Sequence, residues 1–155
     1  MVLLLSSLYK KEKQYQQAIA VLNEALVKYP DNIEIHVELL KNYTNLEDEQ
    51  AIEKTLKKLI SLDEKSTRFK VVLSSFYAKL GRLDEAESIL RQIIAEDVDN
   101  AKWYIILAKF LASKKSVELA EKELLAVIKA RPALVDVSFG LADLYLKSNQ
   151  VQKAK

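Results

Sequence analysis

The stretch FYAKLGRLDEAESIL, Phe76 to Leu90, carries apolar residues at helical spacing on both sides of a Gly-Arg pair. Apolar residues three and four apart mark one face of a helix. Phe69, Leu73, Phe76, Tyr77 and Leu80 form one such face, and Leu83, Ala86, Leu90, Ile93 and Ile94 form a second. Gly81 stands between them, where a chain leaving a helix commonly passes through the left-handed conformation that glycine adopts without strain. The stretch therefore predicts helix, turn and helix.

The pattern recurs at a step of 34 residues. Leu5, Leu39, Leu73, Leu107 and Leu141 keep that step, as do Leu22, Leu56, Leu90 and Leu124. From Ala86 it reaches Ala18, Ile52, Ala120 and Ala154, and from Tyr77 it reaches Tyr9, Tyr43, Leu111 and Tyr145. No insertion or deletion interrupts the register. The counterparts of Gly81 are Lys13, Glu47, Lys115 and Asn149, so this slot does not demand glycine and Gly81 is a helix terminator, not a phosphate contact.

Two amphipathic helices joined by about three residues must lie antiparallel, and each pair buries its apolar faces fully only against a neighbouring pair. The predicted fold is all-α: a right-handed superhelical solenoid of antiparallel helix pairs. The units fall at about 1–32, 33–66, 67–100, 101–134 and 135–155, with the first and last incomplete, in one solenoid over 1–155. Small residues at the Ala86 slot let two helix axes approach closely. Asp31-Asn32, Ser66 and Asp99-Asn100 precede first helices, where a short polar side chain can accept from an unpaired backbone N–H.

Leu73, Ser74, Tyr77, Gly81, Leu83, Ala86 and Leu90, with Pro30 and Pro132 at unit ends, make the chain resemble the tetratricopeptide repeat family. The likeness covers the whole chain. Departures are the large aromatic one residue early, at Phe69 and Trp103, and Ile52 where the family has a small residue. A narrower likeness, of the Phe-Tyr-x-Lys-Leu-Gly run, is to repeats of bacterial envelope proteins that assemble secretion, pilus or exopolysaccharide machinery.

Composition agrees with a helical repeat. Half of the 155 residues are hydrophobic, and two Gly and two Pro leave little material for hairpins or nucleotide-cradling loops. Twenty-four Lys and Arg against 22 Asp and Glu give a formal charge of +2, with the signs interspersed. Whole-molecule charge therefore does not favour a polyanion. The lack of cysteine removes thiolate chemistry and cysteine-ligated metals, and leaves cytosolic and periplasmic locations both open. The opening Met-Val-Leu-Leu-Leu is too short for a signal peptide, and no run approaches the length of a membrane span.

Neither end meets a repeat boundary, which predicts a piece of a longer array. It also predicts an uncovered strip of Val137, Leu141, Leu144 and Tyr145 on the last complete helix, available for self-association. Catalysis has little to rest on. His36 has no second ligand or carboxylate partner in view, Ser6 and Ser74 occupy a packing slot, and Glu85, Glu87 and Glu96 read as a solvated helix face. No catalytic, metal or cofactor residue is expected.

The family resemblance implies a concave groove lined by the first helices, which takes a peptide or a partner's helix. Its apolar slot holds Val37, Val71, Ile105 and Phe139, and its flanking slots hold Arg68, Lys102, Lys41, Ser75, Lys109 and Asp143. Glu34 and Asp136 lie toward the edges. An apolar floor with a basic centre suits an acidic, amphipathic protein segment. The Lys-Asn clamp by which some relatives hold a chaperone's terminal carboxylate is not supported, since its slots hold Val37 with Lys41 and Val71 with Ser75. The alternative to a protein-binding scaffold is a reader of single-stranded RNA, against which the 34-residue step and near-zero net charge both speak.

Overall fold

The computed structural model describes residues 1–149, and in that span the backbone forms nine α-helices and no strand. In chain order they are α1 (Val2–Lys11), α2 (Tyr15–Lys28), α3 (Ile33–Asn45), α4 (Glu49–Leu62), α5 (Thr67–Lys79), α6 (Leu83–Glu96), α7 (Ala101–Lys114), α8 (Val117–Ala130) and α9 (Val135–Lys147). The starts at 33, 67, 101 and 135, and at 15, 49, 83 and 117, keep the 34-residue step. Ala154 lies outside the described residues.

The helix-to-helix turns explain this regularity. Lys13, Glu47, Gly81 and Asn149 all adopt positive φ, at 60°, 55°, 77° and 60°. In the first three turns the next amide donates back to a tyrosine carbonyl: Gln14 to Tyr9, Asp48 to Tyr43, Arg82 to Tyr77. This is the six-to-one bond of a left-handed helix terminator. Lys115 breaks the series with φ −124°. There α7 runs on to Lys114, and Ser116 caps α8 from extended backbone.

Caps follow the sequence with one refinement. Asn32 accepts from the Ile35 amide and Asn100 from the Lys102 amide, while their neighbours Asp31 and Asp99 pair instead with Lys58 and Arg131. Ser66 Oγ accepts from the Arg68 amide at 3.4 Å. Asp48 and Ser116 cap the second helices α4 and α8, two starts that the sequence reading passed over.

The helices group into two compact units, Met1–Leu73 and Ser74 onward, with the division inside α5. In the first, α1 packs on α2, α2 on α3, α3 on α4, and α1 also meets α3. Its core joins Leu22, Ile35 and Leu39, with Val2, Leu3, Ile19, Leu26 and Tyr43 closing around them. Ala18 is fully buried, and Ile52, in the slot where a small residue is usual, is 7% exposed.

In the second unit, α6 packs on α7, α7 on α8 and α8 on α9, and α7 also meets α9. Ala86, Ile93, Leu107, Ala120 and Val137 are fully buried. Ser74 donates its hydroxyl to the Ala86 carbonyl at 2.9 Å, tying α5 to α6 at the small slot. The strip expected to lie open on α9 is instead largely covered. Val137, Leu141 and Tyr145 are buried and Leu144 is half-buried, because α9 packs on both α7 and α8. Of the four, only Leu144 keeps part of its surface open.

Candidate functional site

The orientation of α7 is set by what it buries. Trp103, Tyr104, Leu107, Ala108 and Leu111 point into the second unit. Two of them are also tethered at the helix start: the Trp103 indole N–H donates to Asp97 at 3.1 Å, and the Tyr104 hydroxyl donates to the Val98 carbonyl at 2.9 Å. With that face fixed, Lys102, Ile105 and Lys109, three and seven residues apart, fall on one outward stripe. On α9 the buried set is Val137, Leu141 and Tyr145, and the Tyr145 hydroxyl donates to Glu121 on α8. Burial, aided by that carboxylate, holds the Tyr145 phenol above its ordinary value. Asp136, Phe139, Gly140 and Asp143 are left facing α7.

The two stripes border an open trough of about 1100 Å³. Its floor is Ile105, half-buried, and Gly140; Phe139 stands over it with 67% of its surface exposed. Gly140 is there because the helices are close. A Cβ on it would lie 2.8 Å from Ile105 Cγ1. Along the same seam a smaller pocket of about 280 Å³ is walled mainly by Ile105, Ala108, Ala112, Val117 and Leu144.

Charge divides the trough lengthwise. Lys102 and Lys109 rise from α7, and neither is in an ion pair among the described residues; Asp97 and Asp99 also line the trough just before α7, but Asp97 is held by Trp103 and Asn100 and Asp99 by Arg131. The Lys102 ammonium rests 4.8 Å from the centre of the Trp103 ring. Asp136 and Asp143 rise from α9. The Lys147 ammonium, 2.8 Å away, holds the Asp143 carboxyl below its ordinary value, and the Lys109 charge adds to this from the opposite wall. The expected basic centre is therefore one wall of a bipolar trough.

Five sequence-predicted residues come together here: Lys102, Ile105, Lys109, Phe139 and Asp143. Val37, Lys41, Arg68 and Val71 belong to the first unit, and Ser75 is exposed on α5. Val37 and Val71 are half-buried, and the Arg68 guanidinium sits over the Phe69 ring at 5.3 Å. Lys41 is not a free cation. It pairs at 2.9 Å with Glu38, which also receives Lys10 from α1.

Burial works to raise the Glu38 carboxyl, but the bonds from Lys10 and Lys41 outweigh it and hold the group below its ordinary value. His36 is likewise structural. It is 8% exposed, and its Nε2 lies 2.8 Å from the Pro30 carbonyl, an acceptor to which the ring can donate.

A second charged cluster occupies α6 and α8. Arg91 joins Glu87 on its own helix to Glu123 on α8, and Lys115 joins Asp84 to Glu87. The solvated acidic face expected on α6 is thus partly wrong: the Glu87 side chain is only 18% exposed. The bond from Lys115 and then those from Arg91 hold its carboxyl low against the opposing effect of burial. Among the described residues, no group of three or more His, Asp or Glu is placed to hold a metal ion, and no helix is long and apolar enough to cross a membrane.

Comparison with known proteins agrees with this architecture. Two family models, each described as "Tetratricopeptide repeat", match residues 1–42 and 46–110. A protein of Drosophila melanogaster described as a BBSome complex member BBS4 homolog is 34% identical over 61 residues, which are 39% of this chain and 13% of that protein. This chain thus matches a small part of that relative's length.

Among solved structures, the crystal structure of MamA superposes with TM-score 0.61 at 20% identity, covering 96% of this chain and 87% of that one. A putative kinesin light chain from Podosopora anserina gives 0.58 at 18%, with 97% and 86% covered. The structure of Naa15/Naa10 bound to HypK-THB gives 0.67 at 18%, with 96% and 24% covered. At such identities the likeness is one of fold: an all-α solenoid of helical repeats.

Proposed function

Since the chain belongs to the tetratricopeptide repeat family, whose fold generally mediates protein–protein interaction, we propose that it is a non-catalytic scaffold whose α7–α9 trough receives a segment of a protein partner. The observation that carries this reading is an apolar floor at Ile105 with exposed Phe139 over it, beside two lysines that are in no ion pair among the described residues. Phe139 and Val135, both exposed, stand with Ile105 along the same concave site, where an aromatic side chain can anchor a partner. The lysine wall suits carboxylates on the segment, and such pairing steers association and weakens as salt rises. Asp136 and Asp143 on the other wall count against a polyanion such as RNA.

Panning a library of displayed random peptides against the whole chain tests the reading. Selected peptides should lose about tenfold or more in affinity to Phe139→Ala, a loss of at least 1.4 kcal/mol. The double change Lys102→Glu with Lys109→Glu should act similarly, with the wild-type affinity falling as salt is raised. Peptides indifferent to both variants would place recognition elsewhere and overturn the trough as the binding site.

A further inference from the structure

We infer that the occupant of the trough is an amphipathic α-helix with acidic residues along one flank and basic residues along the other. This rests on the proposed function above and specifies its partner. Three features of the trough carry it.

The first is its charge pattern. Lys102 and Lys109 are seven residues apart on one wall, and Asp136 and Asp143 are seven apart on the other. At 1.5 Å per residue each pair spans about 10.5 Å, the rise of one heptad in a third helix laid alongside. Among the described residues Lys102, Lys109 and Asp136 are in no ion pair, while Asp143 pairs with Lys147 in its own helix turn and feels the Lys109 charge across the trough; Asp97 and Asp99, at the α7 end of the lining, are already held by Trp103 and by Arg131. A surface pair within one helix turn contributes little and is readily exchanged.

The second is the number of directions in which the site makes demands. A floor and two opposite walls must be met at once, and a strand presents side chains to only two faces. A helix presents them all round. The third is size. The trough runs at least from Lys102 to Lys109, about 10.5 Å, which is roughly two turns of a helix laid alongside. The adjoining pocket of about 280 Å³ offers a socket for one apolar side chain of that helix.

Turning such a helix end for end exchanges its flanks, so the charge walls also fix the direction in which it lies. The test uses synthetic peptides of about six turns, each with the same apolar stripe. One carries Glu on one flank and Lys on the other, one carries Glu on both, one carries Lys on both, and one repeats the mixed pattern with two interior prolines.

Titrated against the whole chain, the mixed peptide should bind about tenfold tighter than either single-sign peptide and gain helical circular dichroism on binding. The proline version should lose at least that factor. In the Asp136→Lys with Asp143→Lys variant, preference should pass to the all-Glu peptide, a switch that loss of folding could not produce. If the all-Glu peptide binds wild-type protein as tightly as the mixed one, the two-sided inference falls while the trough reading stands. Equal binding of the proline version would remove the helix. Should no peptide bind, the trough reading falls and this inference with it.

Discussion

Gly81 and its counterparts separate what a turn requires from what a sequence happens to supply. Gly81 has φ +77°, and nothing lies within 4 Å of the place its Cβ would take, so substitution there meets backbone strain without a clash. Left-handed backbone costs a non-glycine residue about 1–2 kcal/mol, so Gly81→Ala should destabilise by roughly 1 kcal/mol in urea unfolding. Lys13 and Glu47 already bear that cost at φ 60° and 55°. Glu47→Gly should therefore raise stability by up to about 1 kcal/mol, whereas Lys115→Gly, at φ −124°, should not.

Gly140 is the opposite case, limited by a neighbour instead of by φ. Its missing side chain admits Ile105, 2.8 Å from where Cβ would stand. Gly140→Ala gains helix propensity of about 1 kcal/mol but overpacks the crossing at a cost of about 1–3 kcal/mol. A double-mutant cycle should show the change to be better tolerated when Ile105→Ala has opened the space. Equal effects in the two backgrounds would refute the contact as its cause.

Charged contacts between helices make the fold sensitive to acid. Glu38 ties α1 to α3 through Lys10, and Glu87 holds α6 to the α7–α8 turn through Lys115. Both carboxyls are held below the ordinary value of 4.5. The unfolded chain therefore takes up protons first as pH falls, and the stability these pairs provide, full above about 4.5, is lost on the way down through the folded values. Melting temperature should fall between about pH 5 and pH 3. Glu38→Gln should lower it near neutral pH yet flatten that decline.

The same pairs show why the site was less legible than the elements. Helix starts recur because the turn, the leucine slots and the alanine slot all repeat within one unit, and Leu39, Leu73 and Leu107 announce them. Lys41 and Lys109 occupy one repeat slot, yet Lys41 is paired with Glu38 while Lys109, among the described residues, is in no ion pair and only acts on Asp143 across the trough. The difference lies at the slot of Glu38, which becomes Val72, Ile106 and Gly140 in later repeats. Such variable positions decide which charges are paired, and periodicity is blind to them. For the same reason the register could not show that Gly140 approaches Ile105 or that Asp136 and Asp143 face the two lysines.

A repeat protein derives its stability from each unit and its nearest neighbours, so damage should remain partly local. Leu107 is fully buried in α7, which packs on α6, α8 and α9. Leu107→Ala should cost about 2–5 kcal/mol through lost burial and the cavity left behind. Helices α1 to α4 gather into a separate compact unit around Leu22, Ile35 and Leu39. Native-state hydrogen exchange should accordingly show protection falling across α6–α9 well before it falls in α1–α4. The trough between α7 and α9 would then open in the variant, and peptide binding should weaken in step with exchange in α7. Uniform loss of protection from α1 to α9 would instead mean that the molecule unfolds as one cooperative body, with the trough as stable as its core.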